Sequence, residues 1–166
     1  MAAVASNLAR QHWENGQGSE EAQRAALTLC KQAAAAVTRI AQDYADTPCS
    51  DLARQPVEIY CNVFLGQAHD VILTRGVEKG SRGNVLAGVA LQAAEHYDAC
   101  YKALLMMDLD KKHPFLPLAV FFRLKAMWRR AAAQFYQVRG AVGGFSTEVT
   151  KRVLLSWPDR ALQSLI

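Results

Sequence analysis

Histidines, cysteines, glycine clusters and paired carboxylates are the groups here that could carry chemistry, and their spacing decides whether they do. His12, His69, His96 and His113 form no HxxxH or HExxH pair, so no single helix offers a metal ion two imidazoles on one face. His69 is followed by Asp70, but helix neighbours one apart point in different directions. Each histidine reads as a surface or half-buried residue. The cysteines Cys30, Cys49, Cys61 and Cys100 lie 19, 12 and 39 residues apart with no CxxC pair, so neither a disulfide framework nor a zinc site is expected. Three of them fall inside apolar helical patterns, where a free thiol acts as a small hydrophobe. Gly76, Gly80 and Gly83 follow no strand, so they fail as a nucleotide-binding fingerprint and read as a helix end and a turn. No GxSxG or Cys–His signature appears. Asp108 and Asp110 sit in a lysine-flanked loop and read as solvated carboxylates. The expectation is a chain with no catalytic residue, no metal site and no cofactor.

Charge is the next feature that could choose a partner. The net charge of +4 conceals an asymmetry: residues 1–110 hold nine Lys/Arg against thirteen Asp/Glu, residues 111–166 ten against two. Between Lys111 and Arg139 there is no acid. A basic segment of this kind attracts an acidic membrane surface, nucleic acid or an acidic protein, or is simply a solvated helix face. No apolar run approaches the length of a membrane span, and the N-terminus lacks the order of a signal peptide, so cytosol is the expected compartment.

The elements that must position these groups are helices. Gly and Pro are few in a chain of 166 residues, half of them apolar, which argues against a β-rich fold. Residues 1–13 read as a short helix. Ser19 caps a second, with Glu20 and Glu21 at the positive end of its dipole. Its face is Ala22, Ala26, Leu29, Ala33, Val37, Ile40 and Tyr44, over about 27 residues. Pro48 and its neighbours form a loop. The next helix starts near Pro56, which a first turn tolerates, and runs to about Lys79. It carries two apolar stripes, Val57, Cys61, Phe64, Leu65, Ala68 and Ile72 on one side, and Ile59, Val63, Leu73 and Val77 on the other. A helix apolar on two sides is sandwiched between neighbours. Asn84 to Met107 buries Leu86, Ala90, Ala93, Tyr97, Cys100 and Leu104. Leu116 to Arg139 turns Phe121, Leu124, Trp128, Ala131 and Phe135 inward and Arg123 and Arg130 outward. Five main antiparallel helices in layers, with no sheet, are expected. Residues 140–166 change character and form a loosely attached tail.

One strip does not fit the core. With Leu86, Tyr97 and Leu104 marking the buried stripe, Val85 and Val89 fall some 60–100° to one side, continuing into Gln92 and His96. This strip neighbours Ile72 and Arg75 and the turn at 80–83. It reads either as contact with another helix of the same molecule or as a groove for an amphipathic partner helix.

At these residues the chain resembles a known family. The segment Leu65-Gly66-Gln67-Ala68-His69-Asp70-Val71-Ile72, then Asn84-Val85-Leu86-Ala87, then Gln92-Ala93-Ala94-Glu95-His96-Tyr97 is similar to the centre of the Bro1 domain. Upstream, Cys30-Lys31-Gln32-Ala33-Ala34-Ala35-Ala36-Val37 resembles an alanine-rich helix of that family. Downstream, Arg123-Leu124-Lys125-Ala126 and Ala131-Ala132-Ala133-Gln134-Phe135-Tyr136 resemble a later one. The resemblance implies a partial, all-α Bro1-like domain over residues 1–139 and a divergent tail over 140–166. It implies a non-enzymatic cytoplasmic adaptor of endosomal sorting, recruited to endosomes. Its partner would be the C-terminal amphipathic helix of an ESCRT-III subunit. Carried over residue by residue, the apolar floor falls on Ile72, Val85 and Val89, a basic rim on Arg24 and Arg75, and an acidic rim position on Glu20. The chain departs from the family where an aromatic is common at Ile72 and a lysine at Gly88. It also lacks the small sheet before this region and the tetratricopeptide-like half after it. The alternatives are a basic module, using residues 111–139 on acidic lipid or nucleic acid, and a truncated fragment without function. Few aromatics accompany Arg123 and Arg130, so no nucleic-acid stacking platform is expected.

Overall fold

The structure, a computed structural model, describes residues 19–44, 54–107 and 116–142. Among them are four helices: α1 (Glu20–Asp43), α2 (Arg54–Glu78), α3 (Gly83–Met106) and α4 (Leu116–Val142). The described residues contain no strand. The expected helix over 1–13 lies outside them, as does the expected tail over 140–166 except for residues 140–142.

Local chemistry sets the helix ends. Ser19 accepts from the Ala22 N–H at 3.4 Å, with Glu20 and Glu21 in the first turn behind it. Pro56 stands in the first turn of α2, where its missing N–H has no intrahelical partner to lose. α2 closes in a Schellman motif: Gly80 takes φ +67°, the Ser81 N–H donates to Gly76 O at 2.8 Å, and the Gly80 N–H donates to Val77 O at 3.2 Å. Only glycine adopts that left-handed conformation without a Cβ penalty. The last helix does not stop before Gly140, as expected, but runs on to Val142. Gly140 serves close approach instead, its backbone lying against the Gly83 backbone at the start of α3.

Each helix packs on the next in chain order, α1 on α2, α2 on α3 and α3 on α4. The two stripes of α2 divide as their spacing requires. Phe64, Ala68 and Val71 meet Ala26, Cys30, Ala33 and Ala34 of α1. On the other side Ile59, Leu73 and Val77 meet α3. The α2–α3 pair is antiparallel, and small residues let it close: a Cβ on Gly66 would strike the Tyr97 ring, and one on Gly76 would strike Leu86. All six residues expected to be buried on α3 are buried. On α1, Ala26 and Ala33 are buried as expected, whereas Ile40 and Tyr44 are exposed.

The inward face of α4 is corrected. Leu124 is 50% and Phe135 37% exposed, and Ala131 is also exposed. The buried stripe is Ala119, Phe122, Ala126, Arg129, Ala133 and Tyr136. The reason is electrostatic. Two largely buried carboxylates, Asp70 on α2 and Asp98 on α3, draw the cations of α4 toward them. Lys125 Nζ lies 3.0 Å and Arg129 Nε 2.7 Å from Asp70, while Arg123 and Arg130 lie 3.0 and 3.1 Å from Asp98. A buried charge needs a paired one, so the cations choose the face and Leu124 and Phe135 turn outward. Arg123 and Arg130, expected to face outward, are 46% and 42% exposed and also pair with Asp98.

Candidate partner-binding groove

α2 is the floor on which the candidate residues meet. At about 100° per residue, its α1-facing stripe (Phe64, Ala68, Val71) and its α3-facing stripe (Ile59, Leu73, Val77) leave a third strip between them. That strip is Asn62, Leu65, His69, Ile72 and Gly76. Asp70, turned the other way, is the residue that α4 covers. The strip is therefore the side of α2 that α4 leaves open. α1 and α3 rise on its two sides and make the walls of a shallow groove.

The α3 wall is the stripe Val85, Val89, Gln92 and His96. Val85 is 53% exposed, and Val89 is half-buried against the cluster of Leu73, Val77, Leu86 and Ala90. The register set by Gly66–Tyr97 and Gly76–Leu86 puts Ile72 level with Val89. Ile72 is half-buried and belongs to none of the core clusters. Gly88, next to this wall, is exposed, and a Cβ there would meet nothing within 4 Å. The α1 wall carries Glu20, Arg24, Leu27 and Lys31, spaced on one face of that helix.

The charged residues converge at one end. Glu20 Oε1 accepts from Arg24 at 3.0 Å, Arg75 at 3.1 Å and Lys79 at 2.7 Å. The hydrogen bonds from Lys79 and Arg24, with the charges of both, hold the Glu20 carboxyl down at about 2. Three cations on one carboxylate leave that end formally positive. Beside it the Gln23 amide donates to Glu78 at 2.6 Å. All three expected rim residues thus belong to one cluster. Lys79 was missed, although its place one turn after Arg75 is a signal that the sequence offered.

The other end holds a feature unforeseen from spacing within single helices. His69 of α2 and His96 of α3 lie with ring centroids 5.1 Å apart. Burial and then His69 lower the His96 pKa, with Glu95 acting the other way.

Cys30, Cys61 and Cys100 are free thiols. Burial pushes Cys30 up to about 11 and Cys100 to about 12, so neither is a thiolate near neutral pH. Cys49, His12, His113, Asp108 and Asp110 lie outside the described residues. Among the described residues no three His, Cys, Asp or Glu side chains cluster as metal ligands. A surface hollow lined by Arg82, Gly83, Asn84, Gln137, Gly140 and Ala141 lies where the start of α3 meets the end of α4, away from the groove. No described helix is long and apolar enough to cross a membrane.

Comparison with known proteins adds one match. The model of the BRO1-like domain family matches residues 1–143. No curated protein and no solved structure matches the chain.

Proposed function

The chain belongs to the BRO1-like domain family, and from that premise we propose that it is a non-enzymatic adaptor whose α1–α2–α3 groove holds an amphipathic helix. Such a helix lays its apolar face on Ile72, Val85 and Val89 and its acidic edge toward Arg24, Arg75 and Lys79. The carrying observation is the exposure of Val85 beside the cluster that Glu20 gathers. An apolar strip with a basic rim recognises an apolar face with acidic flanks, apolar contact giving affinity and charge giving register.

On the family premise the partner is the C-terminal helix of an ESCRT-III subunit, and the protein acts in the cytoplasm on endosomal membranes. The reading as a basic module for lipid or nucleic acid has less support, because Arg123, Lys125, Arg129 and Arg130 are all engaged with Asp70 or Asp98. Calorimetric titration of synthetic ESCRT-III C-terminal helices into the protein tests the proposal. Saturable one-to-one binding by at least one helix is expected. Its absence across the panel, with tight salt-sensitive binding to acidic vesicles, would favour the basic-module reading.

A further inference from the structure

His69 and His96 have a fixed arrangement of protons. The Asn62 amide nitrogen donates to Glu58 O at 2.8 Å, which turns the Asn62 Oδ1 toward His96 Nδ1, 2.9 Å away. An amide oxygen only accepts, so His96 Nδ1 carries a hydrogen. His69 Nδ1 lies 2.8 Å from the Leu65 carbonyl and carries one for the same reason. When neutral, both rings therefore hold their lone pair on Nε2. Neither Nε2 is among the described buried atoms that lack a partner, and no hydrogen bond among the described residues occupies either. Both rings are half-buried. His96 stands seven residues beyond Val89 on the groove wall, about 10 Å along the helix.

Few charges face this pair. On the α1 wall Lys31 is exposed, and Arg24 is held by Glu20 at the other end of the groove. α3 contributes Glu95, which also accepts from the Gln92 amide at 3.1 Å. On α2, Asn62 is neutral and Asp70 is turned away into its bonds with Tyr97, Lys125 and Arg129. α4, with those two cations, packs on the opposite side. Cations outnumber acids along the groove, so its complementary occupant is acidic as well as amphipathic.

We propose that the His69–His96 pair is a specificity-determining element of the groove, reading a carboxylate that the partner helix places two turns beyond its apolar contacts and binding it together with one proton from solvent. This rests on the groove reading above. A carboxylate against Nε2 favours the imidazolium, whose new N–H donates to it. The second ring stays neutral, because a second cation 5.1 Å from the first would repel it. Binding is thereby linked to uptake of one proton, and affinity rises as pH falls toward the histidine range.

The probe is a synthetic amphipathic helix with a leucine face and a glutamate seven residues from its central leucine, beside a twin carrying glutamine there. Each is titrated into the full chain by calorimetry at about pH 6 and about pH 7.5, near and above the histidine range, in two buffers of different ionisation enthalpy. Uptake of about one proton is expected for the glutamate peptide, with affinity rising roughly five- to tenfold at the lower pH. The glutamine twin should show neither effect. His69→Gln and His96→Gln should keep wild-type helix content by circular dichroism and lose both the proton uptake and the pH response. Wild-type binding without proton uptake, or a pH response that survives both substitutions, overturns the proposal and leaves the groove standing. Failure of every peptide at both pH values removes the groove reading and this inference together.

Discussion

Arg129 of α4 donates to Asp70 of α2 at 2.7 Å, spanning the α3 layer that lies between these two helices in the packing order. Lys125 shares the same carboxylate at 3.0 Å, and the Tyr97 hydroxyl of α3 donates to it at 2.7 Å. Three helices are locked by one side chain. Arg129 is only 7% exposed and Lys125 10%. Removing the carboxylate leaves both cations buried without their counter-charge, which costs on the order of 3–5 kcal/mol. Asp70→Asn should lower the unfolding free energy by about that much in urea denaturation. Asp43→Asn, which breaks an exposed pair with Arg39, should change it by less than about 1 kcal/mol.

The same carboxylate sets an acid limit. Burial raises its pKa, but the charges of Arg129 and Lys125 and the hydrogen bonds from Tyr97 and Arg129 outweigh burial and bring it from 3.8 down to about 2. A depressed carboxylate stabilises the fold above its unfolded value and loses that contribution as pH falls through its folded value. The contribution of Asp70 should be whole above about pH 4 and disappear toward about pH 2. Melting temperatures across that window should fall steeply for wild type and less for Asp70→Asn.

The helices and the sandwich position of α2 were legible because period and breakers are local: Ser19, Pro56 and the glycines from 76 to 83 mark ends whatever packs beside them. The face of α4 was not. Hydrophobicity alone favours Leu124 and Phe135, and the acids that reverse the choice lie 59 and 25 residues back in the chain. Nor was the histidine pair, because its two members meet across helices, although His96 could be placed on the side of Val85 and Val89. The resemblance named Arg24, Arg75 and Glu20, but not that Glu20 gathers both arginines together with Lys79.

Gly88 offers a test of the α3 wall. It sits inside a helix with no positive φ, and an added Cβ meets nothing. Gly88→Ala should stabilise the protein by about 0.5–1 kcal/mol, read as a higher urea midpoint. A destabilised variant would show that the helix surface there is occupied.

Uncovered apolar surface runs along α4. Val120, Leu124, Met127, Phe135 and Val138 share one outward face, all exposed. A contiguous face of this kind favours association. The chain of 166 residues should therefore self-associate at micromolar concentration. Light scattering should show the double variant Leu124→Glu, Met127→Lys shifting it toward monomer. A wild-type chain that is already monomeric would count against this.

The groove itself is tested most directly by titrating one acidic amphipathic helix against four proteins: wild type, Val89→Asp, Arg75→Ala and Val138→Asp. Val89→Asp puts an unpaired carboxylate against the apolar face of the partner and removes a contact worth on the order of 1.5–3 kcal/mol. Its affinity should fall by about a hundredfold or more. Arg75→Ala should cost about 1 kcal/mol, less at high salt, because Lys79 and Arg24 still hold Glu20. Val138→Asp, on the outer face of α4, should bind as wild type does. Equal affinity for wild type and Val89→Asp would contradict the account.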